Sequence, residues 1–397
     1  MLNQKPKNIE EVLTRGVKQI LPTKKGLKIL MKKRKIRIYL GVDPTSPNIH
    51  LGNAVCLRKL KEFQDLGHEV IFLIGNFTAQ IGDPSGRGKE RKPLTPNQIR
   101  ENMTSYKKQA AKVINISKIK VKYNADWLAK FKFKDLINLA SHFTISRLLE
   151  RDMFQKRLKK GEEVWLNELF YPLMQGYDSV AMNIDLEIGG TDQTFNMLVG
   201  RKLQKIYNKK DKFILTTPLL IGLDGRKMSK SYNNVVNLTD KPNEMYGKIM
   251  SLRDNLILHY FELCLGASLS EIKKIEKDLK SKKVNPRDLK AKLAKEIVRI
   301  YYGIKKAKKA KQEFNRVFKE KKLPLKIKAV KIKEKELNIL EFLLKTKKVT
   351  SKSEAKRLIL QKAIKIDNLV KKDWREVVKI KKGSVVKIGK KKFIRII

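Results

Sequence analysis

The chain has 397 residues, enough for two or three domains with a core each. Its 91 Lys and Arg against 40 Asp and Glu leave a formal charge of +51, a field that draws polyanions and weakens with salt, although lysine spread over nearly every polar stretch accounts for the excess equally well as compositional bias. Cys56 and Cys264, far apart and without C-x-x-C spacing, argue against a disulfide framework or zinc site, and no apolar run has the length of a membrane span or the form of a signal peptide.

A soluble cytoplasmic protein is therefore expected. Residues 1–36 read as a helix followed by a basic stretch containing Gly26. Ile36 to Val42 is apolar and β-rich, a strand broken by Asp43-Pro44-Thr45. Pro47-Asn48-Ile49-His50-Leu51-Gly52-Asn53 then leads into Leu51, Val55, Leu60 and Phe63 at helical spacing, stopping at Gly67. Val70 to Gly75 is a second short apolar run. Strand, helix, strand in that order predicts a parallel α/β sheet with a nucleotide site at the carboxyl ends of its strands.

From Thr95 to about Met182 the pattern is mostly helical, an insertion between the halves of the sheet, so the first domain is expected over 37–247. Leu186 to Ile188 is a third buried strand, leading into Gly189-Gly190-Thr191-Asp192-Gln193. Residues 248–320 are helical and lysine-rich, with a turn at Asn285-Pro286-Arg287; residues 321–335 alternate lysine with apolar residues around Pro324 and read as a linker. Residues 336–397 form a small α+β module. In it Ser351-Lys352-Ser353-Glu354 predicts a capping box, opening a helix with Leu358, Ile359 and Ala363 inward and Lys356, Arg357 and Lys362 outward. Short strands are expected near Ile364, Val385 to Ile388 and Phe393 to Ile396.

Three groups of residues carry chemistry. His50 falls where a β-to-helix turn places it at a helix N-terminus, among backbone donors suited to phosphate, and Gly52 lets a flat ring approach the backbone. Lys227-Met228-Ser229-Lys230-Ser231 follows Gly222 and Asp224-Gly225 in a turn-rich loop, and two ammonium groups there can close over a triphosphate as its leaving group gains charge. Tyr171, Gln175 and Asp178, at i, i+4 and i+7, share one helix face as a polar stripe able to line a pocket for a zwitterion. Gly82 to Lys89 has the glycines of a phosphate loop without its spacing, since Glu90 rather than Ser or Thr follows Lys89.

Taken in order, Tyr39-Leu40-Gly41-Val42-Asp43-Pro44-Thr45, the His50 segment, Ile81-Gly82-Asp83-Pro84-Ser85, Tyr171 to Asp178, Gly189 to Gln193 and Lys227 to Ser231 make the chain resemble the bacterial tyrosyl-tRNA synthetases of class I over essentially its whole length. The resemblance implies a Rossmann-like catalytic domain with a helical insertion, an α-helical domain, a C-terminal RNA-binding module like one first named from a ribosomal small-subunit protein, and a homodimer. It implies ATP as a substrate with Mg2+, no protein-bound metal, L-tyrosine and tRNA(Tyr) as partners, and neither DNA nor membrane. Tyr39 and Asp178 would then bond the substrate phenol oxygen, Asp83, Tyr171 and Gln175 its ammonium, and Gln193 would orient it near the reacting carboxylate. Thr45, His50, Lys227 and Lys230 would contact the phosphates, with Gly41, Asp43, Gly52, Asn53, Gly190 and Asp192 around the nucleotide. The related tryptophan enzymes share the His and Lys motifs, and Tyr39 with Asp178 argues against them. Asn53 stands where many relatives have a second His, its amide still offering a donor, and Glu187 where some have Gln.

Overall fold

Short apolar runs pair into a six-stranded sheet in the first of two compact units, Met1–Lys311 and Gln312–Ile397. The computed structural model describes residues 8–85, 94–320, 323–324, 327–332, 334–389 and 392–397. The strands are β1 (Gln19–Leu21), β2 (Arg37–Val42), β3 (Glu69–Ile74), β4 (Lys120–Tyr123), β5 (Leu186–Gly190) and β6 (Phe213–Thr217), in the order β1-β6-β5-β2-β3-β4. All neighbours are parallel except β1, which runs antiparallel to β6. Five of the six residues of β3 are buried, as a sheet covered on both faces requires. Strand order reverses between β2 and β5, and a crevice at such a reversal is where doubly wound sheets bind ligands.

Helix α1 (Leu51–Asp65) joins β2 to β3 and buries Leu51, Ala54, Val55, Leu57, Leu60 and Phe63, the face expected from helical spacing. Its Lys59 is buried too: Nζ donates to the carbonyls of Val12 and Arg15 at 2.8 and 2.6 Å and to Glu62 at 2.5 Å, tying the N-terminal segment to the helix. Beyond the sheet, α2 (Pro96–Ala110) is opened by a Thr95–Gln98 capping box, and α3 (Leu166–Ala181) packs on α4 (Thr194–Asn208). A Cβ at Gly176 would lie 2.9 Å from Val199 and Leu203 side-chain atoms, so only glycine permits this approach of α3 to α4.

Three strands of this sheet escape the sequence reading. Gln19–Leu21 lies in the stretch read as helix plus basic segment, which instead holds helices Ile9–Val12 and Lys24–Lys33 around that strand. Lys120–Tyr123 lies inside the stretch read as helical, and Phe213–Thr217 was not singled out. Each is five residues or fewer, and β1 and β4 lie at the sheet edges, so pairing rather than any periodicity decides them. Residues 248–320 form helices as expected, including Ile257–Leu265, Leu269–Lys280 and Pro286–Tyr302, and as far as Lys311 they belong to the same compact unit as the sheet.

In the second unit, five strands run in the order Leu369–Val370, Ile364–Ile366, Val385–Ile388, Lys392–Ile396, Lys328–Val330. The last of these falls in the expected linker, where the alternation of lysine with apolar residues makes an edge strand; residues 321–322, 325–326 and 333 of that linker, and the Gly86 to Lys89 part of the phosphate-loop candidate, lie outside the described residues. The helix Lys352–Leu360 starts at Ser351, whose side chain accepts from the Glu354 N–H at 3.1 Å. The Glu354 carboxylate turns to Thr350 rather than back to Ser351, so the box is not reciprocal. Ala355 and Ile359 are its buried face, Leu358 is half-buried and Ala363 lies past its end, while Lys356, Arg357 and Lys362 are exposed as expected.

Candidate active site

A cavity of about 910 Å3 opens at the carboxyl ends of β2 and β5. Tyr39, Gly41, Asp43, Thr45, His50, Gly52, Asn53, Asp83, Tyr171, Gln175, Asp178, Gly190, Asp192, Gln193 and Lys227 all line it. Lys230 is the one candidate that does not; its Nζ lies 3.2 Å from the Tyr106 hydroxyl on α2.

At the buried end, β2 delivers Tyr39 and α3 delivers Asp178. The Asp178 carboxylate accepts from Trp127 Nε1 at 2.8 Å and from Asn124 Nδ2 at 3.3 Å. Burial pushes its pKa well up, and those two donors pull the other way. Burial likewise raises the Tyr39 phenol, reinforced by the charges of Glu187 and Asp178. Along the wall runs a chain of amides. Gln193 donates to Asp83 at 2.6 Å, Asn196 to Gln193 at 3.0 Å and to Gln175 at 2.9 Å, and Gln175 to Glu187 at 3.1 Å. Tyr171 donates to Asp43 at 2.9 Å, placing Asp43 against the tyrosine of α3. The other Asp43 oxygen accepts from Thr78 at 2.8 Å, and a Cβ on Gly75 would fall 2.1 Å from it, so the turn after β3 must be glycine for this carboxylate to stand where it does.

At the open end His50 is the N-cap of α1. Its Nδ1 accepts from the Asn53 N–H at 3.4 Å while Asn53 Oδ1 accepts from the His50 N–H at 3.3 Å, a reciprocal box that occupies Asn53 Oδ1 in holding the turn. Burial, then the charges of Lys230 and Lys227, lower the imidazole pKa to about 3. It is thus neutral at physiological pH, and with Nδ1 accepting, the proton sits on Nε2. A Cβ on Gly52 would lie 3.0 Å from this ring, so Gly52 makes room for the imidazole as well as for a ligand. Opposite, Lys227 Nζ pairs with Asp192 Oδ2 at 2.6 Å. The loop that carries it is held by Asn234, which accepts from the Ser229 N–H at 2.8 Å and donates to the Lys227 carbonyl at 2.9 Å, and by Tyr260, which donates to the Ile221 carbonyl at 2.6 Å.

A donor-bearing helix N-terminus, a paired lysine loop and a deep carboxylate thus share one cavity at a sheet reversal. The family of tRNA synthetases class I (W and Y) matches residues 31–319. The chain belongs to this class I tRNA synthetase family. The tyrosine–tRNA ligase of Thermotoga maritima is 44% identical to this synthetase over 392 residues, covering 98% of each chain. That of Francisella tularensis is 43% identical over 388 residues, again covering 98% of each. Among solved structures, the tyrosyl-tRNA synthetase of Archaeoglobus fulgidus complexed with L-tyrosine superposes with a TM-score of 0.62 at 24% identity, over 76% of this chain and 99% of that one, a likeness of fold.

The sequence reading missed much of what supports the synthetase cavity: Trp127 and Asn124 behind Asp178, Asn196 in the amide chain, Asn234 under the lysine loop, and Lys212. None lies within the motifs singled out in the sequence. Lys212 alone left a trace, as a lysine at the start of the apolar run of β6.

Proposed function

We propose that the chain is a tyrosine–tRNA ligase, activating L-tyrosine with ATP and passing the tyrosyl group to the 3′-terminal adenosine of tRNA(Tyr). In the first step a tyrosine carboxylate oxygen bonds to the α-phosphorus and the bond to pyrophosphate breaks, giving tyrosyl-adenylate; in the second a ribose hydroxyl attacks the carbonyl and AMP leaves. The carboxylate is already ionised at neutral pH, so activation needs in-line placement and charge neutralisation rather than a base. His50 supplies an Nε2–H, Thr45 a hydroxyl, Lys227 and Lys230 their charge, and Mg2+ arrives with ATP; among the described residues no cluster of three His, Cys, Asp or Glu side chains could hold a metal.

The observation that carries the tyrosine reading is Asp178, turned by Trp127 and Asn124 toward the same buried end as Tyr39. Asp83, Tyr171 and Gln175 lie on the wall where an amino acid's ammonium would sit, and Gln193 beside them. Gly41, Gly52, Asn53, Gly190 and Asp192 rim the open end, where the nucleotide belongs. ATP–pyrophosphate exchange tests it: tyrosine alone among tyrosine, tryptophan and phenylalanine drives exchange at low amino-acid concentration. Exchange driven by tryptophan would move the chain to the other branch of its family, and tRNA binding without exchange would favour an RNA-binding role.

The RNA partner would meet the C-terminal module, where exposed Lys356 and Arg375 flank Trp374 at 4.2 and 4.4 Å from its ring centroid. The second copy of a homodimer would cover the helical insertion, where Phe133, Ile145 and Leu166 are 79%, 65% and 64% exposed. Phe133→Asp with Ile145→Asp is expected to sediment as a monomer where the parent chain sediments as a dimer; an unchanged dimer would place the interface elsewhere. Cys56 and Cys264, both unpaired, fit a cytoplasmic setting.

A further inference from the structure

Behind the buried end of the cavity lies an ion pair whose lysine none of these roles uses. Lys212, the residue before β6, is fully buried; its Nζ donates to Glu187 on β5 and, at 2.7 Å, to Ser179 Oγ on α3. Glu187 faces the cavity, whereas Lys212 does not reach it. The slot for the ammonium is cut by a glycine: a Cβ on Gly200 of α4 would lie 2.5 Å from Lys212 Nζ and 3.0 Å from Ser179 Oγ. A buried ion pair gains little stability over an apolar pair of equal size, so its value here is sought in orientation.

Burial pulls the lysine pKa down while Glu187 and then Asp178 pull it back, and the ammonium form satisfies both of its contacts. An ammonium can only donate. Ser179 Oγ therefore accepts from Lys212, which leaves its own hydrogen free to donate to the Tyr39 hydroxyl at 3.2 Å, a contact in which either oxygen can be the donor. With Ser179 as the donor there, Tyr39 oxygen accepts and its hydrogen is free for Glu187 or for a phenol oxygen entering the cavity.

We infer that Lys212, acting through Ser179, is a positioning residue that determines specificity: it fixes Tyr39 as a hydrogen-bond donor to the substrate phenol and leaves Asp178 as the acceptor. A phenol, with one lone-pair oxygen and one hydrogen, matches that donor and acceptor in a single orientation; phenylalanine satisfies neither. The inference rests on the tyrosine reading and deepens it.

The test measures kcat/KM in pyrophosphate exchange for tyrosine and phenylalanine with Ser179→Ala and with Lys212→Met, leaving Glu187, the acceptor of Gln175, in place. In both variants the tyrosine value falls about tenfold, through KM rather than kcat, as loss of one buried hydrogen bond's direction predicts. The phenylalanine value and the KM for ATP stay unchanged, so the tyrosine-to-phenylalanine ratio falls about tenfold. A ratio within about twofold of the parent enzyme, or a parallel loss for both amino acids as from a pocket merely propped open, overturns the inference. If Lys212→Met does not fold, Ser179→Ala decides alone. A parent enzyme that does not prefer tyrosine would instead sink the reading on which this one stands.

Discussion

Asp178→Ala lowers kcat/KM for tyrosine activation about 10³-fold, the largest loss expected from any change in the cavity that leaves the fold intact. The substitution removes the acceptor of Trp127 Nε1 and Asn124 Nδ2 as well as that of the substrate phenol. The unpaired Trp127 and Asn124 donors cost stability in free and bound enzyme alike, whereas the loss in kcat/KM comes from the phenol, which in the complex is buried without its charged acceptor. Asp178→Asn is nearly as damaging, because an amide offers one acceptor oxygen where the carboxylate offers two, and its NH2 meets Trp127 or Asn124 donor against donor. Activation of phenylalanine changes far less, so the ratio of the two amino acids, measured by exchange kinetics, is the telling number. Normal tyrosine selection by Asp178→Ala would mean that the phenol lies elsewhere.

Lys227→Ala slows adenylate formation about 10²–10³-fold while the affinity for tyrosine hardly moves. The reason is geometric. Lys227 sits on the Asp192 carboxylate at the open end, remote in role from the Tyr39 and Asp178 end, and its ammonium matters when charge grows on the departing pyrophosphate. Asp192 holds it in the meantime, so ATP must compete for one of the two groups as it enters. Single-turnover activation with saturating tyrosine reads the step directly, and an unchanged rate would take the loop out of the chemistry. His50 adds no pH step near neutrality, since its imidazole, with a pKa lowered to about 3, is already neutral there.

How far these sites could be read from the chain differs from residue to residue. His50, Gly52 and Lys227 sit in short local segments, where a turn, a cap and a flexible loop are properties of neighbours in sequence. Tyr171, Gln175 and Asp178 follow from helical spacing alone, and α3 carries them as that spacing predicts. Asn53 needed coordinates: the sequence offered a donor, while the structure engages its oxygen in capping α1. That the Lys230 side chain lies against Tyr106 on α2 was likewise legible only in the coordinates.

By itself, the amino-acid sequence determined the α/β character of the first unit, the helices flanking its strands, the α+β character of the last residues and the motifs that meet at the cavity, because local spacing and turn chemistry are written in adjacent residues. Only the tertiary structure decided the short strands β1, β4 and β6, the donors that orient Asp178, and the Lys212–Glu187 pair in its glycine slot. Those depend on partners up to about two hundred positions apart, as Gln19 is from Thr216, and no window along the chain contains both ends of such a contact.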